Sequence, residues 1–500
     1  MDEIERLKQD VRDGRIDPER LIDLIAKLQQ QLQAAKRRIE ELEKQIGGAS
    51  TVKTAEPYSM RAEEQRQLAR GKKPRNRKKN KQSRRGRLTT AQKVALAERT
   101  VKVYPDDVAK TECTLSHTRP IWRLNNNRAI LIAYEIYRGP KNQYGKIPGV
   151  LGRSEFGIEI VVAVAHLVHI VGLSFDKVCS VLNFFQKLRL RKSQAEALLN
   201  QLSRHWEGEF ETLCTLLAHS LVVHADETSW SINSVWAFLS EKARVILFGV
   251  HKDAETLHCL LDPDTFAGIL ISDDAAVYAK FTQMQKCWAH LLRKAIKLTL
   301  LEPENADYRR LTDGLLEIYR KACRVQEDRR LGEVGRQRKV AALEDEIVEL
   351  CWPAWLADLQ PTEGPADDYR LLVNEVMRLM LDRQLFTFVT AAPVTTPCGE
   401  TLPVAGTNNE SERTLRSPAQ ARATGRTSKT LRGARRRTVI VSVLESLRQY
   451  LPTFTLTGVI EEVLQWSATG RSCFAKLARK SKLSPRDKTV LGLIYPSPSG

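Results

Sequence analysis

The stretch from Ser220 to Trp236 reads S-L-V-V-H-A-D-E-T-S-W-S-I-N-S-V-W, and it decides which fold the sequence predicts. Three apolar residues, Leu221 to Val223, are followed after two intervening residues by the adjacent acids Asp226 and Glu227. Apolar residues that end on a carboxylate are typical of a buried strand that holds a metal ligand rigidly at the edge of a sheet. The alternative is that Asp226 only starts a turn, as aspartate often does after a strand. The choice between the two depends on acids much further along the chain.

The segments that follow this strand predict a mixed α/β core. First come the hairpin strands Ser234 to Ser240 and Arg244 to Val250, and then a helix near Ala254 to Leu261. A strand from Gly268 that ends on Asp273 and Asp274 follows, and after it a helical segment from Ala275 to Phe281. The last two elements are a short strand from Gln285 to Trp288 and a helix from His290 to Leu301. This order is typical of a ribonuclease H (RNase H)-like core, whose ligands come from the first strand and from the strand after the first helix.

The chain is strongly basic, with a formal net charge of +19 over 500 residues. The excess is concentrated in residues 71–87, which hold ten Lys or Arg, and in residues 413–437, which hold nine; neither segment contains an acid. Such segments repel themselves and bind polyanions, so we predict that both contact DNA phosphates. The predicted contacts are Lys72, Lys73, Arg75, Arg77, Lys78, Lys79, Arg84, Arg85, Arg87, Arg413, Arg416, Arg422, Arg426, Lys429, Arg432 and Arg435. The alternative for either segment is a solvated stretch without a specific role.

Cysteine usage and hydropathy exclude other classes of protein. The nine cysteines occur singly, with no C-x-x-C pair, which argues against a zinc ribbon and against a secreted disulfide framework. The longest apolar run, Ile160 to Leu173, is shorter than the roughly 18 residues that a membrane span needs. We therefore expect a cytoplasmic protein with no membrane association.

Heptad spacing near the N-terminus predicts a coiled coil that ends at Gly47. Apolar residues alternate spacings of four and three, with polar and charged residues between them. They are Leu21, Ile25, Leu28, Leu32, Ala35, Ile39, Leu42 and Ile46. We expect a homodimer or a higher oligomer through this seam. The alternative is a single amphipathic helix folded back onto its own chain.

Residues 152–206 predict three short helices with tight joints, whereas residues 101–152 show no clear pattern. The helices are expected over Ile158 to Ile170, around Phe175 to Phe185, and after a capping Ser193. Such a bundle, with the basic run from Lys187 to Lys192 at one joint, suits a helix-turn-helix-like module. DNA contact by this module and a purely structural role are both open.

Three separated acids can converge on one site. Cleavage of a phosphodiester by two divalent ions needs carboxylates that hold the ions about 3.5 to 4 Å apart, and two strand-end aspartates with a glutamate from a crossing helix supply them. The candidates are Asp226, Asp273 and Glu412, the last in a helix that Asn408 can cap. Their neighbours Glu227, Asp274 and Glu410 stay open as alternatives, since spacing alone does not exclude them.

Four ordered motifs resemble the insertion sequence 66 family of DDE transposases. They are H-A-D-E-T-S-W at 224–230 with V-W at 235–236, G-I-L-I-S-D at 268–273 with Tyr278 five residues on, C-W-A-H-L-L-R-K at 287–294, and T-N-N-E-S-E-R-T-L-R at 407–416. The resemblance implies an RNase H fold and two Mg²⁺ or Mn²⁺ ions held by Asp226, Asp273 and Glu412 rather than by their neighbours. Relatives commonly carry a zinc-finger-like segment before the core, whereas only Cys113 lies in that stretch here.

The resemblance also implies the partners and the reaction. We expect a prokaryotic, nucleoid-associated transposase that binds the terminal inverted repeats of its element, cleaves there and joins the 3′-hydroxyl to target DNA, with accessory proteins as further partners. His290 and Arg293, one helical turn apart, either contact a phosphate near the site or serve the core. Two rival functions are an inactive or domesticated DNA-binding relative and a nuclease of the same fold.

The sequence thus predicts an α/β protein with an RNase H-like catalytic core and a helical insertion, preceded by a coiled coil and a helical DNA-binding module. The predicted segments are 1–48, an N-terminal helix and coiled coil; 49–100, a basic linker and DNA-contacting arm; 101–210, a helical, helix-turn-helix-like DNA-binding region; 211–301, the first part of the core; 302–400, the helical insertion; 401–465, the completion of the core with the glutamate helix and the Arg-rich segment; and 466–500, a basic tail.

Overall fold

The structure is a computed structural model, and it describes residues 88–125, 128–356 and 364–496. The predicted coiled coil over 1–48, most of the linker over 49–100 and the basic run over 71–87 lie outside the described residues. The DNA-contact candidates from Lys72 to Arg87 therefore stay predictions.

Ten strands and fifteen α-helices occur in the described part of the chain. The strands are β1 (Arg99–Val103), β2 (Thr114–Asn125), β3 (Arg128–Arg138), β4 (Val222–Ser229), β5 (Ser234–Ser240), β6 (Arg244–Val250), β7 (Ile269–Ser272), β8 (Met284–Lys286), β9 (Val394–Thr395) and β10 (Thr401–Leu402). The helices are α1 (Thr90–Ala95), α2 (Ile158–Ala165), α3 (Phe175–Gln186), α4 (Lys192–Ala218), α5 (Ala254–Leu260), α6 (Trp288–Leu301), α7 (Ala306–Glu327), α8 (Glu333–Leu356), α9 (Pro365–Leu381), α10 (Thr387–Thr390), α11 (Asn409–Ala423), α12 (Leu431–Tyr450), α13 (Leu456–Thr469), α14 (Cys473–Lys480) and α15 (Val490–Ile494).

A five-stranded mixed sheet forms the centre of the molecule, in the order β6-β5-β4-β7-β8. β4 is the middle strand, antiparallel to β5 and parallel to β7. β5 and β6 are buried along almost their whole length, because both of their faces are covered by helices. The predicted strand, hairpin, helix and strand order is thus observed. The segment after β7 differs, since only the short 3₁₀ turn Ala276–Tyr278 replaces the helix predicted there.

Helix α12 covers the free edge of β6 with three hydroxyl groups. The backbone N–H groups of Phe248, Ile246 and Arg244 each donate a hydrogen bond of 2.9 Å to a side-chain hydroxyl of the helix. The three acceptors, in the same order, are Thr438, Ser442 and Ser446. All three hydroxyl-bearing residues are fully buried. An edge strand normally leaves such groups unpaired, so α12 satisfies them and shields the edge.

Residues 302–400, predicted as a helical insertion, contain α7 to α10 and β9, which pairs with β10 just beyond residue 400. These helices share one hydrophobic cluster with α6, in which Trp288, Leu315, Ile347 and Val376 are fully buried. The cluster also includes Ile271 from β7. The insertion therefore packs against the side of the sheet on which β7 and β8 lie.

The region predicted as helical over 101–210 begins with a sheet, so the prediction is wrong for residues 101–138. β1, β2 and β3 form a three-stranded sheet in which β3 is central, parallel to β1 and antiparallel to β2. β3 reads R-A-I-L-I-A-Y-E-I-Y-R and is buried on both faces, so it lacks the alternation of polar and apolar residues that marks a half-exposed strand.

The three predicted helices follow this sheet as α2, α3 and α4. α2 continues into a π turn, His166–Ile170, and Ser174 caps α3. Ser193 does not cap α4, which begins one residue earlier with Arg191 at the N-cap position. α4 is also far longer than the predicted third helix, because buried residues such as Trp206 and Phe210 continue its apolar face up to β4.

Replacing Ser442 by alanine should destabilise the fold. The substitution leaves the buried Ile246 N–H without an acceptor, which costs about 1 to 3 kcal/mol. Urea unfolding measures the loss. Ser180→Ala, an exposed position on α3, is the matched control and should change the free energy of unfolding by less than about 0.5 kcal/mol. Equal stability of the two variants would contradict the role given to the hydroxyl ladder.

Candidate active site

The pairing of β4 with β7 brings two predicted site residues side by side. The strands are parallel, and His224 pairs with Ile271. Two residues further along each strand direction stand Asp226 and Asp273, which the register places at the same level of the sheet. Neighbouring strands lie about 4.8 Å apart, and residues separated by two positions share one face. Both carboxylates therefore lie on one face of the sheet, where the pairing of β4 with β7 ends: Asp226 within β4 and Asp273 one residue beyond the end of β7.

Asp226 is held in a surrounding that disfavours its charge. Burial, together with the charges of Glu227, Asp273 and Glu412, raises the pKa of its carboxyl group to about 7, against a backbone hydrogen bond that lowers it. The Glu227 N–H donates that hydrogen bond, at 2.9 Å. Asp273 and Glu412, from elements distant in sequence, thus both lie within electrostatic reach of Asp226.

Asn408 fixes the helix that carries Glu412 against β4. Its side-chain amide donates to the Ala225 carbonyl at 2.8 Å, and its carbonyl oxygen accepts from His224 Nδ1 at 3.2 Å. Its backbone N–H donates to Cys287 Sγ at 3.1 Å. Asn408 does precede α11, but its side chain makes no capping hydrogen bond, so the predicted capping role is wrong. The amide joins the helix to the sheet instead.

Each neighbouring acid that the spacing left open as an alternative ligand forms an ion pair with a lysine or an arginine side chain. The pairs are Glu227 with Lys252 at 2.5 Å and with the Tyr278 hydroxyl at 3.0 Å, Asp274 with Lys286 at 3.6 Å and with Arg378, and Glu410 with Arg244. By contrast, Asp226 and Asp273 have no lysine or arginine within ion-pair distance among the residues that the structure describes. The Asp273 carboxylate accepts a hydrogen bond from the Ala275 N–H at 3.1 Å. Neither of these two carboxylates thus has an ion-pair partner in this part of the chain.

Glu412 is oriented by two residues of α6 that the sequence had singled out. Arg293 donates to its carboxylate at 2.5 Å, and His290 Nε2 lies 3.7 Å from the same oxygen. Cys287, immediately before α6, has its sulfur within 4.8 Å of ligand atoms of His290 and Glu412. The sequence put Cys287 in a predicted strand and His290 in the helix after it, and the approach of both residues to Glu412 was not predicted.

The donor sets of the site differ in the metal that they suit. Carboxylate oxygens such as those of Asp226, Asp273 and Glu412 are the ligands that Mg²⁺ and Mn²⁺ prefer. The buried excess of negative charge at Asp226 is of the kind that a divalent cation neutralises. Cys287 and His290 suit a softer ion such as zinc, but burial raises the pKa of the Cys287 thiol, so it is protonated and a poor ligand at neutral pH. The residues present fit the oxygen-ligated ions better.

The residues of 413–437 that were predicted to contact DNA differ in their exposure and in their partners. Arg413, Arg416 and Arg432 are exposed. Arg422 donates to the Ser229 carbonyl at the end of β4 (2.8 Å). Arg435 pairs with Glu207 at 3.2 Å, a contact that reduces its capacity to bind phosphate.

The sequence that carries these residues matches the model of a known protein family. The sequence model of the transposase IS66 family matches residues 153–436, more than half of the chain. The chain belongs to the IS66 family of transposases. The match confirms the resemblance drawn from the four motifs, and it includes β4, β7 and α11, which carry the three carboxylates. No curated protein sequence matches this IS66 family member. Within the described residues, none of its helices is both long and apolar enough to cross a bilayer.

Asp226→Asn should make the metal-free protein more stable at pH 8. Because the folded-state pKa of Asp226 is about 7, above its ordinary value of 3.8, ionising this group costs folding free energy. The cost is absent below pH 4, grows between pH 4 and 7, and is constant above pH 7. The asparagine variant avoids it, with a gain on the order of 2 to 4 kcal/mol at pH 8. Urea unfolding in chelator between pH 4 and 8 measures the difference. Asp107→Asn, at an exposed position, should follow the wild-type profile, and an identical profile for Asp226→Asn would contradict the account.

Asn408→Ala should destabilise the protein and loosen α11. The substitution leaves the buried Ala225 carbonyl and the His224 ring without their partner, which costs about 1 to 3 kcal/mol. Asn409→Ala, the adjacent exposed asparagine, is the matched control and should be near neutral. Denaturant unfolding compares the two, and hydrogen exchange of the α11 amides reports whether the helix has loosened. Unchanged exchange in Asn408→Ala would show that other contacts position the helix.

Proposed function

We propose that this IS66 family transposase cleaves the ends of its element and joins the freed 3′-hydroxyl to target DNA by two-metal chemistry. Asp226, Asp273 and Glu412 are the proposed ligands and catalytic residues. The core that carries them is proposed to be RNase H-like, which the strand order β6-β5-β4-β7-β8 supports through its central strand flanked by a hairpin on one side and parallel strands on the other.

The observation that carries the proposal is the pair Asp226, within β4, and Asp273, just beyond β7. The two residues lie at the same register and have no ion-pair partner among the described residues, and burial and neighbouring charges raise the pKa of Asp226 to about 7. A protein that used these acids only for structure would pair them, as it pairs Glu227 and Asp274. Uncompensated carboxylates gathered at one edge are characteristic of sites that receive metal ions or perform catalysis.

In this mechanism Asp226, Asp273 and Glu412 would hold two Mg²⁺ or Mn²⁺ ions, which would activate the attacking oxygen and stabilise the leaving oxygen. A water oxygen attacks the end phosphorus, and the 3′-oxygen leaves and takes up a proton. That 3′-hydroxyl then attacks a target phosphodiester, so one bond forms as one breaks in each step. Arg293 and His290 hold the Glu412 carboxylate in position. No covalent link between protein and DNA is needed.

Partners and location follow from the same proposal. The exposed Arg413 and Arg416, on the same helix as Glu412, are placed to contact phosphates of the cut strand. The basic run 71–87 would bind transposon-end or target DNA, and the seam within 1–48 would join two or more copies of the chain. Accessory proteins remain further proposed partners. We place the protein in the cytoplasm of a prokaryote, at the nucleoid.

The test is cleavage of a duplex that contains the element end, with Mg²⁺ and purified full-length chain. Asp226→Asn and Glu412→Gln should each lower the cleavage rate by roughly 1000-fold, since each removes several kcal/mol of transition-state stabilisation. Glu410→Gln, on the same turn of α11 but paired with Arg244, should change the rate by less than about tenfold. DNA binding should persist in all three variants.

The same assay separates the rival functions. Wild-type chain that binds the end without cutting it, with or without metal, would identify an inactive DNA-binding relative. Cleavage without transfer of the 3′-end to a second duplex would identify a nuclease of the same fold. Cleavage that survives in both Asp226→Asn and Glu412→Gln would place the catalytic centre elsewhere.

A further inference from the structure

A second charged site lies outside the carboxylate cluster, in a cleft of about 470 Å³. We call it the loop cleft, because the loop Gly425 to Thr430, between α11 and α12, forms one wall. The opposite wall is the junction of α2 and α3, including His169 and Gly172. The cleft thus lies between the helix that follows the Glu412 helix and the three-helix module that precedes the core.

Cations predominate among the charged residues that line the loop cleft. Five cations and one acid contribute to its walls: Arg426, Lys429, Arg432, Arg436, Arg437 and Glu196. Arg436 lies 3.4 Å from Glu196, which uses the single acid. Arg426 and Arg437 instead donate to neutral carbonyl groups, those of Gly172 (3.0 Å) and Arg426 (3.2 Å). Their positive charges are therefore not neutralised by an acid of the cleft, which favours an anionic ligand.

Two helix N-termini also open onto the loop cleft. α12 has 20 residues and is capped by Thr430, whose hydroxyl accepts from the Gly433 N–H at 3.1 Å. α3 has 12 residues and is capped by Ser174, whose hydroxyl accepts from the Lys177 N–H at 3.4 Å. The first turn of a helix carries a partial positive charge, so both ends add to the field of the arginines.

His169 gives the independent sign that a ligand belongs in the loop cleft. Its side chain lines the cleft, is only 6% exposed, and has no hydrogen-bond partner on either ring nitrogen among the described residues. The buried hydroxyl of Thr427, in the facing loop, lacks a partner in the same part of the chain. A buried polar group without a partner is rare in native proteins because it is costly. A ligand with several acceptor oxygens would satisfy both.

We propose that the loop cleft binds one phosphate group of the DNA backbone, a role that rests on the proposed function in transposition. The negative charge of a phosphate would pair with Arg426 and Arg437 and would be attracted by the two helix N-termini. Its oxygens would accept hydrogen bonds from the His169 N–H and from the Thr427 hydroxyl. The five cations fit a phosphate better than a carboxylate, which carries fewer acceptor oxygens. His169 and Thr427 were not among the contacts that the sequence predicted.

The loop cleft is also coupled to the carboxylate edge. Ser231, in the turn between β4 and β5, donates to the Ser428 carbonyl at 3.0 Å, and Arg422 donates to the Ser229 carbonyl at the end of β4. The loop that would hold the phosphate is therefore fastened to the strand that carries Asp226. A phosphate bound there fixes the DNA relative to the cutting site, so the loop cleft positions the substrate and takes no part in the chemical step.

The test measures binding of the full-length chain to an end-containing duplex in buffer without divalent ions. His169→Leu and Thr427→Val fill their sites with apolar groups of similar size, so they preserve the fold and remove only the unpartnered donors. Each should weaken DNA binding by about tenfold, the value of one hydrogen bond to a charged group. Arg426→Gln should in addition lower the slope of log affinity against log salt by about 1. Arg309→Gln, an exposed arginine of α7, is the control and should change neither quantity.

A second arm identifies the source of the phosphate. Inorganic phosphate, compared with chloride at equal ionic strength, should raise the melting temperature of the wild type and not that of His169→Leu. If phosphate stabilises the wild type but His169→Leu and Thr427→Val bind the duplex normally, the cleft serves a free phosphate ester and the DNA assignment is overturned. If neither ligand distinguishes the variants, the site itself is overturned.

These outcomes are separate from those of the proposed function. The Asp226→Asn variant lacks cleavage under that proposal but keeps the loop cleft, so it should bind the duplex with wild-type affinity and should lose about tenfold when combined with His169→Leu. A chain that cuts no DNA but shows this loss supports the loop cleft alone. A chain that cuts normally and shows no loss contradicts the loop cleft alone.

Discussion

The buried amide of Asn408 is the interaction on which the site depends. It joins three parts of the chain that are far apart in sequence: β4 through Ala225 and His224, α11 through its own position, and the start of α6 through Cys287. Each contact uses a different group of the residue, so its donors and its acceptor are satisfied together. Without this junction, the helix that bears Glu412 would have no fixed position relative to β4 and β7. The three carboxylates, which come from distant segments of the chain, would then have no common geometry.

Around that junction the fold treats its acids unequally. Glu227, Asp274 and Glu410 form ion pairs with Lys252, Arg378 and Arg244, whereas Asp226 and Asp273 have no such partner among the residues that the structure describes. The repulsion between carboxylates is thereby concentrated on the acids that have no ion-pair partner, at one edge of the sheet. Such a site lowers the stability of the empty protein, a compromise that recurs where function needs charge in a buried place. The paired neighbours also limit how far the unpaired acids can move, since their partners lie on the elements around the edge.

Much of the core could be predicted from the sequence because its signals are local. Apolar residues that lead to acids marked β4 and β7, and two apolar runs with a short turn-like break between them marked the β5–β6 hairpin. The sheet over residues 99–138 was missed, although the asparagines at 125–127 separate two β-rich runs and were an available hairpin signal. The role of Asn408 and the approach of Cys287 to Glu412 could not be predicted, because contacts between residues more than a hundred positions apart follow from how the elements pack. His169 was hidden for the same reason: a histidine in an apolar helix gives no sign that its ring lacks a partner.

The hydroxyl groups of α12 have a consequence for assembly. Four residues of a helix advance about 6.0 Å and two residues of a strand about 6.8 Å, so Thr438, Ser442 and Ser446 nearly match the repeat of Phe248, Ile246 and Arg244 over two steps. The helix thereby acts as a surrogate sixth strand that offers hydroxyls in place of backbone carbonyls. Because its own backbone groups are used within the helix, it passes no free hydrogen-bonding groups outward, and the sheet cannot be extended beyond β6. Two copies of this chain therefore cannot associate by continuing one sheet into the next across this edge.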